Sequence, residues 1–124
     1  MTKTKCERWC GRGCTQAEHD AAIKVARATA RRLGPGWRAT TVHNLGWYPR
    51  VVSECGRIKV SPWVYQGRVQ SYTAYLGSAD SPGGNWAERG TTPGNAVRAV
   101  IDKGRAALAK IGAMLCDLPE YKRR

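Results

Sequence analysis

Residues 57–77, RIKVSPWVYQGRVQSYTAYLG, limit the possible folds more than any other stretch of the chain. β-Branched and aromatic residues alternate with polar ones on both sides of Gln66-Gly67, which predicts a β-hairpin closed by a two-residue turn. With that turn, Tyr65 faces Arg68, Val64 faces Val69 and Trp63 faces Gln70. Side chains alternate across a strand, so this register sorts the hairpin into two faces. Ile58, Val60, Val64, Val69, Thr73 and Tyr75 form the expected core side. Lys59, Trp63, Tyr65, Arg68, Gln70 and Tyr72 form the other, with rings interleaved among cations. Such a face, when exposed, is suited to stacking bases and neutralising phosphates. The alternative is that another element or a partner chain covers it, because aromatic residues are ordinary strand formers.

Charge points the same way. The 124 residues hold 21 Lys and Arg against nine Asp and Glu, a net charge of +12 and a pI near 10.0. That excess favours polyanionic partners: nucleic acid, a nucleotide or an acidic protein. No apolar run approaches the roughly 20 residues of a membrane span. No N-terminal stretch reads as a signal peptide. Five cysteines, an odd number, then suggest reduced thiols and a cytoplasmic protein.

Residues 1–14, MTKTKCERWCGRGC, read as a basic segment ahead of the domain. Cys6, Cys10 and Cys14 recur every fourth residue and His19 follows, four side chains of the types tetrahedral zinc prefers. The spacing is not that of a familiar finger. Zinc, disulfides (with Cys55 or Cys116) and free thiols all remain open readings. Thr15-Gln-Ala-Glu18 is a capping box that starts a helix, expected to run to Leu33 and stop at Gly34-Pro35-Gly36. Ala22, Ile23, Ala26, Ala30 and Leu33 form its apolar stripe. Lys24, Arg27 and Arg31 lie on another face, as a solvated stripe or as phosphate contacts. Two strands are expected next, WRATTVH and WYPRVVSE, joined at Asn44-Leu45-Gly46, with Pro49 arguing for an edge strand or a late start. Arg57 then adds a cation at the root of the hairpin. Residues 78–91 read as a loop, with Trp86 either pinning it to the core or free to stack. Thr92-Pro93 opens a last helix whose Val97, Val100, Ile101, Leu108, Ile111 and Leu115 repeat at helical spacing, the expected main core helix. Residues 119–124 read as a basic tail.

The expected architecture is a single α+β domain over 15–118, ordered α-β-β-β(β)-α, with two helices on one face of a small antiparallel sheet. That order resembles the double-stranded-RNA-binding domain in outline. The resemblance implies RNA binding through the first helix, the first strand–strand loop and a lysine cluster opening the last helix. Here that helix opens Thr92-Pro93-Gly94-Asn95, and its first cation is Arg98. A shorter stretch, YTAYLG followed by Gly90-Thr-Thr-Pro-Gly-Asn-Ala96-Val97, is similar to the strand–loop–helix end of HicB-type antitoxins.

Catalysis is not expected. His19 and His43 are isolated in sequence, the carboxylates are scattered, and no motif pairs an acid with a base; a cysteine with His43 is the one nucleophile reading left open. The expected function is non-enzymatic binding of RNA or DNA through Lys24, Arg27, Arg31, Arg57, Lys59, Trp63, Tyr65, Arg68 and Tyr72. The alternatives are a phage-type inhibitor, anti-CRISPR or otherwise anti-defence, that docks on a protein or nucleoprotein complex, and a protein that sequesters small nucleotides.

Overall fold

A computed structural model of the protein describes residues 15–43, 46–77 and 86–116. The chain folds as α1 (Gln16–Leu33), β1 (Trp37–His43), β2 (Trp47–Ser53), β3 (Ile58–Tyr65), β4 (Arg68–Leu76), β5 (Trp86–Gly90) and α2 (Pro93–Cys116). The strands form one antiparallel sheet in sequential order. Two helices pack on one face of it, α1 mainly over β1 and β2 and α2 over β4 and β5. No helix among the described residues is long and apolar enough to cross a membrane.

Local chemistry fixes the helix ends. Thr15 Oγ1 accepts the Glu18 N–H at 3.2 Å, and the Gly34 N–H donates to the Ala30 carbonyl at 3.0 Å with Gly34 at φ 101°. At the second helix, Thr92 Oγ1 accepts the Asn95 N–H at 3.1 Å and Pro93 occupies the first turn. Between the layers lie Ala26, Val51, Val60, Tyr72, Ala74, Ala96 and Val100, all buried. The small residues Ala26 and Ala96 let the helices sit close. Gly104 extends this: a Cβ there would meet Leu76 Cδ2 at 2.7 Å, so α2 crosses β4 at a distance only glycine allows without repacking.

Three features depart from the sequence expectation. The stretch expected to be loop contains β5, whose Trp86, Glu88 and Gly90 turn toward the helices while Ala87 and Arg89 turn away. Trp86 packs against the core, and Glu88 pairs with Lys103 of α2 at 3.1 Å. β2 is an interior strand, not an edge. Pro49 is tolerated because β2 pairs with β3 only at Val51↔Val60 and Val52↔Lys59, and Pro49 lies beyond those pairs. Finally, α2 is a core helix only in its first half. Leu108, Ile111 and Leu115 continue the stripe past the sheet and are 67, 50 and 61 % exposed.

Candidate nucleic-acid interface

The helices leave one sheet face open, and strand register decides what stands on it. From β1 to β5, one row reads Arg38, Val52, Lys59, Tyr75, Ala87. The next reads Thr40 and Arg50, then, across a gap, Ser61, Thr73 and Arg89. A third holds Val42 and Tyr48, and, across the same gap, Trp63 and Ser71. Tyr65 and Arg68 extend the face onto the hairpin tip. Arg38, Arg50, Lys59, Arg68 and Arg89 therefore share a face on which the rows place no Asp or Glu. Tyr48, Trp63, Tyr65 and Tyr75 stand among them, 53, 60, 59 and 37 % exposed.

The gap is structural. Beyond Val51↔Val60 the two central strands diverge, so Arg50 and Ser61 are not paired. Pro49 and Pro62, neither with an N–H to donate, are both buried at the divergence. A cleft of about 230 Å³ opens there, with Ser61 and Thr73 among its lining, Tyr48, Trp63 and Tyr75 around it, and Arg50 and Arg89 on opposite sides. The Arg50 Nε–H is buried and finds no acceptor among the described residues. Among the described residues Lys103–Glu88 pairs a lysine with a carboxylate, and no open-face cation lies within salt-bridge distance of one.

The hairpin turn is as expected. Gln66 and Gly67 both have positive φ, 51° and 74°, and Tyr65↔Arg68 and Val64↔Val69 pair. One step further the register shifts, and Trp63 pairs with Ser71 instead of Gln70. A single extra residue on β4 exchanges the two faces from there on. Lys59, Trp63, Tyr65 and Arg68 lie on the open face as expected, but Tyr72 does not. It is 6 % exposed under α1, its hydroxyl accepts from Arg32 Nη1 at 2.9 Å, and the guanidinium lies 5.6 Å from the ring centre. Tyr75, expected in the core, takes the open position.

The other expected site residues scatter. Lys24, Arg27 and Arg31 are exposed on α1, in the layer on the far side of the sheet from the open face. Arg57 is exposed in the β2–β3 turn. Cys6, Cys10 and Cys14 lie outside the described residues, as do the expected tail, the Asn44-Leu45 turn and residues 78–85. His19 packs edge-on to Trp47 at 4.8 Å, with His43 on the same ring at 4.5 Å. Among the described residues no three His, Cys, Asp or Glu side chains are grouped to hold a metal ion. His43 and Cys55 are at opposite ends of the β1–β2 pair, about 20 Å apart by strand rise. The Cys55 thiol is held below its ordinary pKa, first by its hydrogen bond with the Ser53 hydroxyl at 3.4 Å and then by backbone hydrogen bonding at Arg57.

Tyr48, Arg38, Arg50, Tyr75 and Arg89 are open-face residues outside the expected site. For Arg38, Tyr48 and Arg50 the signal was present, since alternation along WRATTVH and WYPRVVSE assigns a face to each. Comparison with protein-family models, with curated proteins and with solved structures gave no match.

Proposed function

We propose that the protein binds nucleic acid through the open face of its sheet. One observation carries this reading: five cations and four exposed rings share a face on which the strand rows place no carboxylate. Cations without acidic partners seek phosphates, and exposed rings are stacking platforms for bases. The chain's +12 charge adds a long-range attraction to any polyanion. With about five phosphate contacts, the log–log dependence of affinity on salt should have a slope near −3.5 to −4.5, a loss of about 100- to 500-fold between 50 and 200 mM. Titration of a labelled oligonucleotide at several salt concentrations tests this. A flat dependence, or no binding at low salt, contradicts it.

A second reading, docking on another protein as an inhibitor would, draws on the overhang of α2, where Leu108, Ile111, Met114 and Leu115 are exposed together. Nuclease treatment separates the two. A pulled-down partner that survives nuclease, and is lost on Leu108→Glu, belongs to this second reading.

A further inference from the structure

We propose that the cleft between β2 and β3 receives one unstacked base, so that the open face selects single-stranded over duplex nucleic acid. This deepens the nucleic-acid reading above and rests on it. In a duplex every base is stacked and paired, and side-chain rings reach base faces only where the strand is single or splayed. Here the rings are grouped around a hole. Tyr48 approaches from β2, Trp63 from β3 and Tyr75 from β4, and the hole lies where β2–β3 pairing stops, with Pro49 and Pro62 in its lining. Its volume of about 230 Å³ falls below the roughly 300–1,000 Å³ of sites for drug-sized ligands, which suits one heterocycle at a time.

The polar groups fit the same occupant. Ser61 and Thr73 present hydroxyls that both donate and accept, and so match the mixed edge of a base. The Arg50 Nε–H, buried in the same cleft without an acceptor among the described residues, is a donor awaiting one, and a base carbonyl or ring nitrogen supplies it. Outside the cleft, Arg38 and Lys59 in the adjacent row, with Arg89 at its far side, hold backbone phosphates on both flanks of the inserted base. Ribose and deoxyribose strands share this chemistry, and the experiment separates them.

The test is fluorescence anisotropy with short labelled single-stranded RNA, single-stranded DNA and the matching duplex, at low salt. Wild type is expected to bind one or both single strands at least about 10-fold more tightly than duplex. Thr73→Phe fills the cleft and is expected to abolish that preference while leaving duplex affinity unchanged. Should Thr73→Phe fail to fold by circular dichroism, Arg50→Lys decides instead: it keeps the charge and loses the Nε–H, and should lower single-strand affinity without changing the salt slope. Trp63→Ala should weaken single-strand binding about 5- to 150-fold. Equal wild-type affinity for single strand and duplex overturns the proposal. So does a filled cleft that changes nothing or weakens both ligands alike. Either result leaves the broader nucleic-acid reading standing. Binding to none of the three ligands overturns that reading itself.

Discussion

Tyr72 and Tyr75 sit three residues apart on β4, and the register shift between Trp63 and Val64 decides which of them meets solvent. Tyr72 fills the space under α1 and meets Arg32, so its truncation removes both packing and a hydrogen bond. Tyr72→Ala should cost about 3–5 kcal/mol, the range for emptying a large core site, and Tyr72→Phe about 1 kcal/mol. Trp63→Ala, by contrast, should change stability by no more than about 0.5 kcal/mol, because that ring is already in water. Urea titrations of the three variants check this, and a Trp63 variant as damaging as Tyr72→Ala would place both rings in the core. Cys55 offers a second test at this scale. Its folded pKa is lowered mainly because the Ser53 hydroxyl favours the thiolate, so Ser53→Ala should raise it. The pH dependence of Cys55 alkylation would then move to higher pH. An unmoved profile would assign the shift to the backbone instead.

Elements were more legible in the sequence than faces. Capping chemistry at Thr15 and Thr92, the glycine stop at Gly34 and the Gln66-Gly67 turn are local, so residues within a few positions suffice to locate them. The bulge is not local. It depends on how β4 meets β3 and β5 together, and nothing in SYTAYLG marks it, which is why Tyr72 lies in the core and Tyr75 on the open face, the reverse of the expectation. β5 was hidden for a related reason: WAERG has no β-branched residue and follows a Pro-Gly-Gly stretch, so its composition reads as loop. Its last residue is a point of close contact. A Cβ on Gly90 would lie 2.6 Å from the backbone N of Ala96, so Gly90→Ala must push α2 away and should cost about 1–3 kcal/mol in thermal or urea unfolding. Helical periodicity, finally, reports an apolar stripe and not what covers it. Val100→Ala in the buried half of α2 should cost about 2 kcal/mol. Leu115→Gln beyond the sheet should stay within about 0.5 kcal/mol. Equal losses at both positions would mean that the overhang is covered in solution.

Across the whole molecule, positive charge is carried in both layers, and the two layers are suited to different tasks. The α1 cations Lys24, Arg27 and Arg31 are exposed on the helix layer, so under the proposed reading they add to the overall field and to the rate of encounter. The open-face cations surround exposed rings and a cleft, so on that reading they hold a bound strand. Salt should accordingly weaken binding to any sequence, while substitutions on the two sides should not act alike. The most direct measurement compares two triple charge reversals by equilibrium titration of one labelled single strand, with folding of each variant checked by circular dichroism. Reversal of Arg38, Lys59 and Arg89 to Glu is expected to lower affinity by at least about 100-fold, since three phosphate contacts become repulsive. Reversal of Lys24, Arg27 and Arg31 is expected to change it only a few-fold. If the α1 reversal costs as much as the open-face reversal, or more, the open face is not the binding surface.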